Sequence, residues 1–179
     1  MKKINLFLLF LVASIHSGCG FHLRGSQDLS AELPEIQLTG VNQHSELGRD
    51  LNRALAAAKV SVVAESTVVL NITRNTISKR VLSVDSAGRA NQYELNYQLG
   101  FALLKKVNTE GNKQQLVDLI KPQSISEKRE YLFDANLVLA KSGEETNLNN
   151  NMRQSAILQL LRRLKFSLKA KDKTDPAVK

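Results

Sequence analysis

The sequence predicts an α+β fold, a two-layer sandwich in which two helices pack on a mostly antiparallel four-stranded sheet. Three observations predict it. Two segments repeat apolar residues at three-four spacing, several others alternate apolar with polar residues, and each has one apolar face to bury. With 179 residues, 42% hydrophobic and 23% charged, the chain can build one core of ordinary size. It shows no internal repeat and no composition shift that would mark a second domain.

The elements follow in order. Pro34 to Gly40 alternates Ile36 and Leu38 with Gln37 and Thr39 between turn residues, which reads as a short strand. From Ser45 the period changes: Leu47, Leu51, Leu55 and Ala58 share one helical face, with Arg49, Asn52 and Arg53 opposite. Thr67 to Val84 returns to alternation, but Arg74, Thr76, Ser78 and Arg80 share the parity of Val68, Leu70 and Ile72. Such a strand is twisted away from the core in its middle or bulged there. After the turn Asp85-Ser86-Ala87-Gly88, Tyr93, Leu95, Tyr97, Leu99, Phe101 and Leu103 point one way, so this strand lies against a core along its whole length. Asn108 to Asn112 makes a hairpin loop, and Gln115 to Phe133 a fourth strand whose Pro122 predicts an edge position or a bulge. The polar stretch Lys141 to Asn151 connects to a second helix, Met152 to Leu168, and residues 169–179 read as a disordered tail.

The amino terminus is an address. Lys2 and Lys3 precede a nearly uninterrupted apolar run from Ile4 to Ala13, too short for the ~20 residues of a membrane span and typical of a secretory leader. His16-Ser17-Gly18 then precede Cys19, the only cysteine. This resembles a bacterial lipobox, with His16 where an aliphatic residue is usual; an ordinary cleaved leader followed by a free thiol is the alternative. Residues 1–18 would be removed and Cys19 would carry a diacylglycerol and an N-acyl chain, its sole prosthetic groups. Several buried acyl chains give near-permanent attachment. The lipoprotein sorting rule of Gram-negative cells retains Asp after the cysteine at the inner membrane, so Gly20 implies the outer one.

The segment Cys19-Gly20-Phe21-His22-Leu23-Arg24, with the element order above and the basic-leucine run Leu161-Arg162-Arg163-Leu164, resembles the LptE family of lipopolysaccharide-assembly lipoproteins. The likeness runs from the leader to about Leu168. It implies a single domain over 19–168 and no enzymatic activity. It also implies a partner, LptD, a large outer-membrane β-barrel that the domain plugs and helps to assemble, and binding of lipopolysaccharide on its way to the cell surface. That ligand carries phosphates and acyl chains, so its site needs fixed cations beside apolar surface. Lys141 looks like the lysine that follows the family's last strand and contacts lipopolysaccharide. The family's second cation is an arginine before the turn between the second and third strands. Here Arg89, beyond Gly88, is the nearest candidate.

Other classes find little support. No phosphate loop, nucleophile elbow or zinc spacing occurs, and three histidines with one cysteine predict no metal site. The formal charge of +8 raises the question of nucleic acid. Export and the shortage of aromatics argue against it. The excess is also local: residues 19–152 carry fifteen basic and fifteen acidic side chains, whereas 153–179 carry eight and two. A lipid-anchored periplasmic scaffold unrelated to lipopolysaccharide accounts for the anchor and the sandwich equally well.

Overall fold

The computed structural model describes residues 28–109, 113–133 and 138–174. In it a five-stranded sheet carries two helices on one face. The strands are β1 (Glu35–Thr39), β2 (Ser61–Val63), β3 (Val68–Val84), β4 (Ala90–Thr109) and β5 (Lys113–Leu132), and the helices α1 (Glu46–Ala57) and α2 (Val138–Thr174). The strand order is β2-β1-β3-β4-β5. The sheet therefore differs from the expected one in having five strands and mixed pairing. β3, β4 and β5 form the anticipated antiparallel meander, but β1 runs parallel to both β2 and β3. The reason is the connection: α1 carries the chain from β1 back across the sheet face, and a strand reached through a helical crossover returns parallel. β2 has only three residues, too few to show a period.

Helix α1 starts where the Ser45 hydroxyl accepts a hydrogen bond from the Gly48 amide at 3.1 Å, satisfying one of the free amides of the first turn. Its Leu47, Leu51 and Leu55 are buried, as are Met152, Leu160 and Leu164 of α2, and both rows meet Leu70, Leu95, Leu99, Phe101 and Leu103 of the sheet in one core. α2 differs from the sequence expectation at both ends. It begins at Val138, not Met152, so Lys141, which follows the last strand, lies in the helix rather than in the polar connection expected before it. It also continues past Leu168 to Thr174, with 175–179 outside the described residues. Asparagines are poor helix formers, so the first three turns hold by tertiary contact. Glu145 and Asn150 bond to other groups, and Leu148 packs on the core.

The polar middle of β3 has a bulge as its cause. The β3–β4 register shifts between Ile72 and Arg74. One extra residue, Thr73, reverses the parity of everything after it. Arg74, Thr76, Ser78 and Arg80 then lie opposite Gly100, Gln98, Asn96 and Glu94 on the face without helices, while Ile77, Lys79 and Val81 pair with Tyr97, Leu95 and Tyr93 on the helix face. Gly100 makes the bulge possible: a Cβ there would stand 2.6 Å from Thr73 Oγ1 and 2.9 Å from Arg74 Cβ. β5 is an edge strand, and its register with β4 shifts where Pro122 falls, in keeping with the missing amide.

The molecule is long, and its two ends are distinct. One end holds the β3–β4 turn and the close of β5, where Phe133 N donates to Asn91 O at 2.9 Å. The other holds the β4–β5 hairpin, the start of β3 and the incoming chain, where Leu29 N donates to Ala58 O at 2.9 Å. α2 descends between them antiparallel to β5, meeting Tyr131 through Glu145, Glu127 through Ser155 and Ser124 through Arg163.

Candidate functional site

The three residues singled out in the sequence fall differently. Cys19 lies outside the described residues. Arg89 sits at the β3–β4 turn, and Lys141 is in the first turns of α2, with its side chain outside the described ones. Because β5 ends beside Gln92 and α2 starts shortly afterwards, both positions belong to the turn end of the sheet.

The turn is a closed hydrogen-bonded loop. Asp85 N donates to Arg89 O at 2.8 Å, and Gly88, with φ of 78°, adopts the left-handed conformation that suits glycine. The Asp85 carboxylate accepts from the amides of Ala87 and Arg89 at 2.9 Å each and from Arg89 Nε at 2.8 Å. The backbone bond from Arg89, then the remaining donors, hold the Asp85 carboxyl below the usual range. Arg89 is thus fixed in direction, while its side chain stays 70% exposed.

Next to the turn, sequence reasoning missed a cationic cage. Lys79 Nζ lies 4.2 Å from the ring centre of Tyr93, 5.5 Å from that of Tyr131 and 5.9 Å from that of Phe133. The rings support one another, Tyr93 stacking on Tyr131 at 5.8 Å and meeting Phe133 edge-on at 5.4 Å. Glu145 closes the cage, accepting from Lys79 Nζ at 2.6 Å and from the Tyr131 hydroxyl at 2.5 Å. Burial is the largest influence on Lys79 and opposes its charge, but Glu145 and Tyr131 outweigh it and its pKa rises. Burial likewise acts to raise Glu145, and the bonds from Lys79 and Tyr131 bring it below the ordinary carboxyl value. The sequence signal was the parity reversal at Thr73, which moves Lys79 to the aromatic face.

Between α1, α2 and the sheet a cleft of about 340 Å³ opens beside Ile77 and Tyr97. Arg153 of α2 lines it and ties the helices together, donating to Asp50 Oδ2 at 2.7 Å, Glu46 Oε2 at 2.9 Å and Asn150 Oδ1 at 2.8 Å. The Tyr97 hydroxyl donates to Asn75 Oδ1 at 2.8 Å, and burial pushes its pKa up to about 12. Arg153 and Tyr97 are satisfied by these partners, Asn149 Oδ1 in the cleft wall is buried without one among the described residues, and the cleft has no nucleophile with an adjacent base. Among the described residues no three His, Cys, Asp or Glu side chains gather as metal ligands, and no helix is long and apolar enough to cross a membrane.

The turn end combines exposed cations with exposed apolar surface. Val81, Val84 and Leu132 are at least half exposed there, and Arg80 is held by Glu94 through bonds of 2.7 and 3.2 Å. Such a surface suits an amphiphile with anionic groups.

Comparisons with known proteins place the chain in a family. The LPS-assembly lipoprotein LptE of Photorhabdus laumondii is 26% identical over 165 residues, 90% of this chain and 85% of its own. The LptE of Pectobacterium atrosepticum is 27% identical over 166 residues, with the same coverage. Among solved structures, a lipoprotein B from Nitrosomonas europaea superposes with a TM-score of 0.63 at 29% identity, covering 87% of this chain and 96% of that one. The rare lipoprotein B from Shewanella oneidensis gives 0.58 at 28% identity, over 75% and 98%. The family model LptE, described as lipopolysaccharide-assembly, matches residues 33–164, so the chain belongs to the LptE family of lipopolysaccharide-assembly lipoproteins.

Proposed function

We propose that this chain is lipidated at Cys19, is held at the periplasmic side of the outer membrane, plugs the LptD β-barrel and supports its assembly, and binds lipopolysaccharide during delivery to the cell surface. The observation that carries the reading is the pairing of cations with apolar surface at one end of a long sheet, opposite the end where the anchored segment enters. Arg89 is exposed and fixed by Asp85, Lys141 belongs to the helix start beside it, and Val81, Val84 and Leu132 offer contact for acyl chains. Lipopolysaccharide aggregates are bridged through their phosphates, and fixed cations compete for those phosphates while the apolar rim receives the chains released. No bond is made or broken.

The test is capture of purified lipopolysaccharide by the lipidated chain. Lys141→Glu lowers capture at least tenfold and Arg89→Glu lowers it further, because each replaces a phosphate partner with a like charge worth about 1.4 kcal/mol or more. Detergent extraction of the intact lipoprotein brings down the barrel in equal amount. Unchanged capture by the double variant, or no barrel in the extract, would sink the reading and favour an unrelated periplasmic scaffold.

A further inference from the structure

The opening turns of α2 are helical against their composition. Of the ten residues from Ser142 to Asn151, seven are Ser, Gly, Thr or Asn, all in the lower part of the helix-propensity ranking, which is why the composition predicts a connection there. The Thr146 hydroxyl donates back to Ser142 O at 3.0 Å, a bond that bends a helix more than it stiffens it. A helix of this kind stands where tertiary contacts hold it. Leu148 supplies one such contact in the core, and Glu145, three residues earlier, supplies another at the sheet.

Glu145 is gripped by groups that the sheet sets in place. Its carboxylate accepts from Lys79 Nζ at 2.6 Å and from the Tyr131 hydroxyl at 2.5 Å, and these residues stand on β3 and β5, each paired with β4. Tyr93 and Tyr131 are register partners across β4 and β5, so two of the rings that surround the Lys79 ammonium are fixed by strand pairing and not by the helix. Lys79 is 35% exposed and Glu145 29%, so water solvates either one when its partner is removed and the core stays closed. α2 runs from the turn end toward Ser124, so the residue one turn before Glu145 lies about 6 Å nearer that end. That residue is Lys141.

We propose that Lys79 and Tyr131 are positioning residues for lipopolysaccharide binding: their grip on Glu145 keeps the opening turns of α2 helical and so sets Lys141 at the turn end, near Arg89. The inference rests on the proposed contact of Lys141 with lipopolysaccharide. Lys79 itself touches no ligand, because its charge is taken up by Glu145 and the rings. Without the grip Lys141 samples many places, and apparent affinity falls by the fraction of molecules that still have both cations in position.

The test follows two readouts in the full lipidated chain, capture of purified lipopolysaccharide and amide hydrogen exchange read by mass spectrometry. Lys79→Met removes a cation and Glu145→Gln removes an anion, yet each speeds exchange across residues 138–148 at least tenfold and lowers capture about fivefold. Tyr131→Phe moves both readouts in the same direction, capture by about twofold. Protection of β4 stays at the parent level, which checks that the sheet is folded. Because the grip acts through Lys141, the double variant Lys79→Met, Glu145→Gln captures no less than either single one, and Lys79→Met causes no further loss in a Lys141→Ala chain. If Lys79 met a phosphate directly, Glu145→Gln would free it and capture would rise, an outcome that overturns the proposal. Faster exchange with unchanged capture overturns it too, as does lost capture with unchanged exchange. Failure of the positioning alone shows as capture that falls with Lys141→Ala but holds in Lys79→Met and Glu145→Gln; capture that is unmoved by Lys141→Ala removes the lipopolysaccharide contact itself, and the positioning with it.

Discussion

Arg153 bridges two helices through a side chain only 13% exposed, and its partner Asp50 is 11% exposed. Without Arg153 the largely buried Asp50 keeps only its ion pair to the exposed Arg53, while Glu46, 68% exposed, is solvated, so the loss falls mainly on Asp50. Arg153→Met is expected to lower stability by about 2 kcal/mol, read as a fall in the urea midpoint with an unchanged slope. The Lys79 cage has a different signature. The folded pKa of Glu145 is depressed, so its contribution is complete above the unfolded value of 4.5 and is lost as pH falls through the lower folded value. Glu145→Gln therefore weakens the protein at neutral pH and flattens the stability curve between about pH 5 and 3 relative to the parent, measured by urea unfolding across that range.

At the scale of elements, the β3 bulge decides which side chains reach the aromatic face, and Gly100 is the residue that permits it. Gly100→Ala is expected to destabilise by about 2 kcal/mol, because the new methyl meets the Thr73 hydroxyl and the backbone-fixed Arg74 Cβ in a paired strand. Gly88→Ala meets no neighbour and costs only the left-handed conformation, about 1 kcal/mol. Thermal unfolding of the two variants separates a packing clash from a backbone cost. The same elements mark what could be read in advance. β4 was legible because its apolar face is buried from Leu95 to Leu103, so every alternate residue carries the signal. α1 and the core half of α2 were legible for the matching reason at helical period. β2 was not, since three residues at the sheet edge carry no period. The opening of α2 was not either, because its helix depends on Glu145, Leu148 and Asn150 finding partners distant in sequence or on a later turn. Of the site, Arg89 could be placed at its turn from Asp85-Ser86-Ala87-Gly88 alone, whereas the Lys79 cage waited on a parity reversal that alternation hinted at but could not locate.

At the scale of the whole molecule, the turn end and the basic half of α2 are well separated. Arg163 meets Ser124, which pairs with Gly100, ten residues along β4 from Ala90 at about 3.3 Å each, so roughly 33 Å lies between them. Screening at physiological ionic strength acts over about 8 Å, so neither site senses the other's charge directly. No shared side chain links them, since the groups of α2 that face the sheet between Glu145 and Arg163 bond locally to Glu127, Gln123 and Ser124. Charge changes at the two sites are accordingly expected to add. The double variant Arg89→Glu, Lys141→Glu loses lipopolysaccharide capture, whereas the triple variant Arg162→Glu, Lys165→Glu, Lys169→Glu retains capture within twofold. Combined in one chain, the five substitutions lower capture no further than the double variant does. A larger loss would mean that the basic half of α2 sets the state of the turn end, which would require α2 to shift as a rigid lever along β5. The local bonds of Ser155, Gln159 and Arg163 to β5 oppose such a shift, and their presence is why independence of the two sites is the expected result.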